Sequence, residues 1–139
     1  ALDVTVQAQV LRLLLDLRDR LGLAIVLVTH NLGVVAQTCD TLAVMYAGRV
    51  MERGPKRDLL RAPAHPYTEA LMDATSDPDA NNALIYRELP PGEPPSLVNP
   101  PSGCRFHPRC PKRIEKLCEV DEPYDLAADD HLVACWLYR

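Results

Sequence analysis

The six residues Ala24 to Thr29 read AIVLVT, a short apolar run rich in β-branched side chains. A run of this length between turn signals predicts a strand buried on both faces, as strands of parallel sheets are. Upstream, apolar residues recur along one helical face from Val6 to Leu21, which predicts a helix with Asp3 as its N-cap and Gly22 as its stop. The chain is therefore expected to have an α/β fold with parallel-sheet strands and helices.

Shorter elements are predicted downstream of this run. The sequence predicts a helix over 32–37, then two strands over Thr41–Tyr46 and Arg49–Arg53 that are joined at Ala47-Gly48. A short helix is expected over 56–61, and Pro66 suits the first turn of another helix.

Proline divides the chain. Eleven of the thirteen prolines lie between Pro63 and Pro111, which predicts an extended connector because proline interrupts helices and sheets. We therefore expect three parts: 1–62 with the α/β elements, 63–102 with a helix and the connector, and 103–139 as a small, irregular cysteine-rich extension.

Composition excludes some classes of protein. The net charge of −4 argues against nucleic acid as a partner. No apolar run approaches the ~18 residues of a membrane span, and the charged N-terminal twenty residues do not form a signal peptide. The chain starts without Met, so we interpret it as a fragment of a longer protein.

His30 directly follows the predicted buried strand. Ligands of open α/β sheets gather outside the carboxyl ends of strands, where an imidazole can donate a hydrogen bond to an anionic oxygen. Position alone does not distinguish this role from that of a structural histidine.

The segments ALDVTVQAQ, AIVLVTHNLGVV and CDTLAVMYAGRVMERG together resemble the end of an ABC transporter ATPase domain, a P-loop fold. The resemblance implies that Ala1 to Asp3 form the D-loop at the dimer interface. It also implies that His30 is the catalytic switch histidine, which reaches the γ-phosphate of ATP bound with Mg²⁺. Asn31 replaces the usual Asp after this histidine, which keeps hydrogen-bonding capacity but removes a charge.

The phosphate-binding machinery of that family is not in this sequence. No GxxxxGK[ST] loop occurs, and the signature and Walker B motifs are also missing. We expect this segment to be inactive alone and the ATPase activity to belong to the parent chain.

The stretch AHPYTEALMDA, followed by a proline-rich connector and GCRFHPRCP, resembles the ATP-binding subunit of oligopeptide and dipeptide importers with its C-terminal extension. The resemblance implies import of peptides across the cytoplasmic membrane by a peripheral subunit on its cytoplasmic side. The implied partners are a second ATPase subunit (identical or different), transmembrane permease subunits and an extracytoplasmic peptide-binding protein.

Four cysteines mark a candidate metal site, with the spacing C-x5-C-x7-C-x16-C: Cys104, Cys110, Cys118 and Cys135. Thiolates suit both zinc and iron-sulfur clusters, and structural zinc sites usually contain tighter knuckles than these. The wide spacing favours a [4Fe-4S] cluster, and the family resemblance implies the same; zinc, disulfides and free thiols remain alternatives. His107 is expected beside the site rather than in it, Trp136 as its cover, and Cys39 as a small buried hydrophobe.

Two other functions compete with the importer subunit. One is a stand-alone metal-binding interaction module, for which the ALD and VTH motifs would have no use. The other is an ATPase-dead scaffold, which stays open because the upstream motifs are not part of this sequence.

Overall fold

A computed structural model describes residues 4–74, 90–124, 126–128 and 130–139. The chain divides into two compact units, Ala1–Cys39 and Asp40–Arg139. Among the described residues, no helix combines the length and the apolar character that crossing a membrane would need.

In the first unit, the described residues 4–39 form two helices, α1 (Val4–Leu21) and α2 (Leu32–Thr38). Helix α1 ends where predicted, because Gly22 adopts a φ of +65°, a conformation in which glycine carries no steric penalty. Helix α2 is capped by the Asn31 side chain, which accepts a hydrogen bond from the Val34 amide.

The predicted strand over Ala24–Thr29 is not formed. Residues 23–29 have no regular secondary structure, and the side chains of Val26 and Val28 are 92% and 93% exposed. A β-strand is stabilised by backbone hydrogen bonds to a neighbouring strand, and no strand in the described residues pairs with this run. The prediction of a strand was wrong for this structure, because a strand needs a partner strand from elsewhere in the sequence and a short apolar run does not show whether one is present.

The second unit is built on a four-stranded sheet in the order β1-β2-β4-β3. Its strands are β1 (Thr41–Tyr46), β2 (Arg49–Pro55), β3 (Leu126–Ala128) and β4 (His131–Val133). The mixture of helices and strands confirms the α/β class. Every strand pairing in the described residues is antiparallel, however, so the expected parallel pairing is not seen there. The β1–β2 hairpin was predicted, and Ala47 and Gly48 both have positive φ, as primed hairpin turns require.

The described residues of this unit also form three helices: α3 (Lys56–Arg61), α4 (Pro66–Ala74) and α5 (Leu117–Val120). Helices α3 and α4 begin where the sequence predicts. Single 3₁₀ turns follow at His107–Arg109 and Trp136–Tyr138. Residues 75–89 of the predicted connector lie outside the described part of the chain, and 90–103 contains no helix or strand, as expected.

The hairpin and the cysteine-rich tail share one core. Tyr46 and Met51 of the hairpin pack with Phe106, Cys104 and Cys118 of the tail, and all five are buried. Aromatic rings dominate this core: the Tyr46 and Phe106 centroids lie 5.2 Å apart in an edge-to-face arrangement. The compact-unit boundary therefore falls at residue 39, whereas the divisions expected at residues 62 and 102 stay predictions.

A buried carboxylate joins three parts of this unit. Glu52 of β2 is fully buried and accepts hydrogen bonds from the amides of Ala64 and His65, at 2.8 and 3.0 Å. Its Oε1 atom also lies 2.6 Å from Nε2 of His131 in β4. Strand β2, the chain that enters α4 and the C-terminal hairpin are thus tied to one side chain.

The two units are expected to behave differently in solution. Residues 40–139 contain a closed core, whereas the first unit exposes apolar side chains along α1 and at Val26 and Val28. We expect residues 1–139 to bind a hydrophobic dye and to associate, because exposed apolar surface drives both. Residues 40–139 alone should bind little dye and unfold cooperatively. Equal dye binding by the two proteins would contradict this division.

A candidate metal centre of four cysteines

The four cysteines predicted as metal ligands come together in the second unit. Cys104, Cys118 and Cys135 are 7%, 8% and 8% exposed, and Cys110 is partly buried against the same core. All four are free thiols in this structure. The four side chains thus lie within one compact unit, although they are up to 31 positions apart in sequence, and their role as metal ligands stays a prediction.

Backbone geometry at Gly103 brings the first and third cysteines together. The Cys104 amide donates to the Cys118 carbonyl oxygen at 2.9 Å, which closes the loop between them. Gly103 has a φ of +62°, and a Cβ atom there would collide with the Cys118 carbonyl oxygen and lie 2.8 Å from the Glu119 carbonyl carbon. Only glycine fits this crossing.

The Cys118 sulfur atom accepts a backbone hydrogen bond from the Ile114 amide at 3.3 Å. For the other three cysteines, the backbone amide two residues further along the chain opposes the rise in pKa that burial causes: Phe106 for Cys104, Lys112 for Cys110 and Leu137 for Cys135. Donors of this kind stabilise thiolate charge and orient sulfur ligands around a metal or cluster.

Burial opposes ionisation of these thiols when no metal is bound. It raises the pKa of Cys104 to about 11, with a smaller opposing effect from the Phe106 amide and added repulsion from the other cysteines. Burial also raises the pKa values of Cys110 and Cys135, against the amides that bind their sulfur atoms. A bound metal would have to displace these protons, so its affinity would increase with pH.

Within the described residues, no three His, Cys, Asp or Glu side chains form a group that could hold a single metal ion. The metal-binding prediction is therefore not confirmed. A four-iron cluster binds each thiolate through a different iron, so it does not require four sulfur atoms to converge on one point.

Three basic side chains between Cys104 and Cys118 form hydrogen bonds or a salt bridge with neighbouring segments. Arg105 donates to the Ala47 carbonyl oxygen in the β1–β2 turn. Arg109 donates to the Pro90 carbonyl oxygen from Nε at 3.1 Å and from Nη2 at 2.6 Å. Lys112 pairs with Glu69 of α4 at 2.6 Å. These cations therefore have structural partners in addition to any effect on thiolate charge.

His107, Trp136 and Cys39 were each expected to lie outside the ligand set. His107 Nδ1 is 2.9 Å from the Cys104 carbonyl oxygen, so it contacts the backbone of the site. Trp136 packs against the core, and its indole N–H donates to the Asp121 carbonyl oxygen at 3.0 Å. Cys39 belongs to the other compact unit, next to Thr38, and is partly rather than fully buried.

The segment His65–Thr68, which reads HPYT and begins α4, has a structural role that the sequence did not reveal. His65 is 1% exposed, and its Nδ1 atom accepts a hydrogen bond from the Tyr67 amide at 3.0 Å, which caps α4. Burial lowers the pKa of His65 to about 4 against the opposing charge of Glu52, so the imidazole is neutral at pH 7. Tyr67 packs its ring on Tyr46 and Phe106, with centroid distances of 4.6 and 5.2 Å.

The predicted nucleotide-contacting residues belong to the first unit. His30 is exposed and stands between residues 23–29 and helix α2. Asp3 and the rest of the predicted D-loop lie outside the described residues. The roles assigned to Asp3 and His30 therefore stay predictions.

One protein-family model matches part of this chain. Residues 51–118 match the family model described as the oligopeptide/dipeptide transporter, C-terminal region. The match runs from Met51 in β2 through α4 to Cys118, and it contains three of the four cysteines of the candidate site. Over these residues the chain is thus similar to the C-terminal region of this transporter family, and the predicted resemblance is confirmed.

Individual relatives extend the similarity to nearly the whole chain. The dipeptide transport ATP-binding protein DppD of Bacillus subtilis is 44% identical over 99% of the chain. The oligopeptide transport ATP-binding protein OppD of Salmonella typhimurium is 45% identical over 98% of the chain, as is the dipeptide transport ATP-binding protein DppF of Haemophilus influenzae. The chain spans 40% of the length of the first two relatives and 41% of the third.

The crossing at Gly103 gives a sharp test of the site geometry. Gly103→Ala should lower the free energy of unfolding by more than the ~1–2 kcal/mol that a left-handed alanine costs, because its Cβ would also meet rigid backbone. Denaturant unfolding of residues 40–139 measures this change.

Gly48→Ala is the matched control. Gly48 also has a positive φ, of +79°, but the nearest atom to a Cβ there is the flexible end of Arg105 at 3.3 Å. In Gly48→Ala the free energy of unfolding should fall only by the conformational cost of a left-handed alanine, without an added steric clash. Equal losses for both variants would mean that the close crossing at Gly103 does not constrain the site.

Proposed function

We propose that this chain is the C-terminal part of an ATP-binding subunit that hydrolyses ATP to energise the import of oligopeptides or dipeptides. The observation that carries the proposal is its similarity, over 98–99% of its length, to ATP-binding proteins named for dipeptide and oligopeptide transport. The family match around the cysteines points to the same transporters.

His30 is the residue to which we assign catalysis. As the switch histidine, it would donate a hydrogen bond to the γ-phosphate and stabilise charge as the phosphoryl group transfers. Asp3 would act in the D-loop at the interface with a second ATPase subunit. ATP and Mg²⁺ would be held mainly by parts of the parent protein that this sequence does not include.

The proposed function also implies the binding partners and the cellular location of the intact protein. The intact protein would dimerise with an identical or different ATPase subunit and dock on transmembrane permease subunits. An extracytoplasmic peptide-binding protein would deliver the peptide to that complex. The subunit would therefore be peripheral, on the cytoplasmic side of the cell membrane.

We assign a [4Fe-4S] cluster to Cys104, Cys110, Cys118 and Cys135. Their burial within one compact unit and the Ile114 amide that donates to Cys118 Sγ support thiolate ligation. The wide sequence spacing favours a cluster over zinc, which is the alternative occupant.

The role that fits this cluster is structural. Residues 103–139 supply few large apolar side chains, and ordering the backbone costs roughly 1–2 kcal/mol per residue. Metal-thiolate bonds offset that cost in small segments that cannot build a sufficient core alone.

Metal analysis of the intact protein tests the site. Anaerobically isolated protein should be brown and contain about four irons per chain, as a [4Fe-4S] cluster requires. Cys104→Ser, Cys118→Ser and Cys135→Ser should each lower the iron content and make the segment after Pro101 sensitive to protease. Cys39→Ser is the control and should change neither.

The same analysis separates the alternatives. Colourless protein with stoichiometric zinc would keep the thiolate site but refute the cluster. Full iron content and unchanged protease resistance in all three variants would refute the ligand assignment.

ATP turnover tests His30. In the intact protein, His30→Ala should strongly lower kcat and leave nucleotide affinity largely unchanged, because the assigned hydrogen bond strengthens in the transition state. His107→Ala is the control, since His107 contacts the backbone of the cysteine site and should not affect the chemical step. Near-normal turnover in the His30 variant would remove its catalytic role.

A further inference from the structure

His30 lies between two residues whose side chains form short-range hydrogen bonds with the backbone. The Thr29 hydroxyl accepts a hydrogen bond from the Asn31 amide at 3.0 Å, so this bond spans His30. The Asn31 carboxamide then accepts from the Val34 amide at 3.2 Å and caps α2. The backbone on both sides of His30 is therefore restrained by its two neighbours.

Asn31 is joined to α2 through its backbone as well as its side chain. Its carbonyl oxygen accepts a hydrogen bond from the Val35 amide at 3.2 Å. Its own dihedral angles, φ −93° and ψ 100°, are extended, as those of an N-cap residue are. Asn31 is thus the residue at which the irregular segment 23–29 gives way to helix, directly after His30.

The helix leaves room for this cap. Gly33 lies in the first turn of α2, although glycine is the poorest helix former after proline. A Cβ atom at Gly33 would lie 3.2 Å from Oδ1 of Asn31, which is closer than ordinary van der Waals contact. A larger residue at position 33 would therefore press on the oxygen atom that holds the first turn.

These hydrogen bonds depend on the local sequence alone. Each of them joins residues no more than four positions apart. Unlike the pairing of strands, they need no partner from a distant part of the protein. They therefore constrain the backbone at His30 whatever segment 23–29 contacts in the intact protein.

We propose that Asn31 and Thr29 are positioning residues for His30, which fix its backbone at the start of α2 so that its imidazole is in place before ATP reacts. This inference rests on the proposed function, in which His30 donates a hydrogen bond to the γ-phosphate. Neither neighbour needs to touch the nucleotide, because both act through the backbone. A donor that is already in place costs no reorganisation at the moment of reaction.

The expected effect of losing the cap falls on the chemical step. Without the Asn31 acceptor the first turn of α2 frays, and the His30 backbone samples more conformations. Misplacement of a group at the reacting centre by about 1 Å can cost on the order of a hundredfold in rate. Because the assigned hydrogen bond strengthens in the transition state, kcat should fall while nucleotide affinity stays largely unchanged.

ATP turnover and nucleotide binding by the intact protein test this role. Asn31→Ala should lower kcat by about tenfold or more and leave nucleotide affinity largely unchanged. Asn31→Asp keeps an oxygen acceptor for the Val34 amide and should restore most of the kcat. Thr29→Val removes the hydroxyl at nearly constant shape and should lower kcat less, since water can bind the exposed Asn31 amide instead.

Thr38→Val is the matched control. Thr38 lies at the other end of α2, where its hydroxyl donates to the Val34 carbonyl oxygen at 2.7 Å. The control variant removes a side-chain hydrogen bond from the same helix, but at the end remote from His30, and should keep normal turnover. An equal fall in kcat for Thr38→Val and Asn31→Ala would show that the stability of α2 limits turnover, which would overturn the proposal.

A double variant separates positioning from an independent role. If Asn31 acts only through His30, Asn31→Ala should lower kcat no further in a protein that already carries His30→Ala. A further loss as large as that of Asn31→Ala alone would overturn the proposal.

The catalytic assignment and the positioning assignment fail separately. Near-normal turnover of His30→Ala would refute the catalytic role of His30 and the positioning role with it. Low turnover of His30→Ala together with normal turnover of Asn31→Ala would refute only the positioning role.

Discussion

The carboxylate of Glu52 is the constraint on which the second unit depends. It is fully buried, and its oxygens bind the two amides that lead into α4 and the imidazole of His131. Hydrogen bonds to a charged group contribute about 1.5–3 kcal/mol each, and removal of one buried partner leaves the others unsatisfied. This one side chain therefore fixes where the HPYT helix and the C-terminal hairpin meet β2.

The cysteine site follows from that junction. With β4 held on β2, the Ala134 amide reaches the Met51 carbonyl oxygen at 2.9 Å, and Cys135 follows directly. With α4 held, Tyr67 completes the aromatic group around Phe106, next to Cys104 and Cys118. The site is thus assembled between the β1–β2 hairpin, α4 and the tail, which explains how a short tail with few apolar residues forms part of a core.

Features that depend on local chemistry were predictable from the sequence. The turn at Ala47-Gly48 and the helix start at Pro66 were found where expected. Features that depend on distant partners were not. Residues 24–29 form no strand because no described strand pairs with them, and β4 is too short to show a pattern. Glu52 gives no local signal of burial, because its cover comes from residues 64, 65 and 131.

The central claim is that the hairpin, the HPYT helix and the cysteine-rich tail form one cooperative unit. Native-state hydrogen exchange tests it most directly, because it reports the opening free energy at individual amides. The account predicts that the amides of His65, Cys104 and Ala134 open with the same free energy as the β1–β2 ladder. Exchange of Cys104 and Ala134 through a lower-energy opening, with the hairpin still protected, would show that the tail is a separate attachment and would contradict the account.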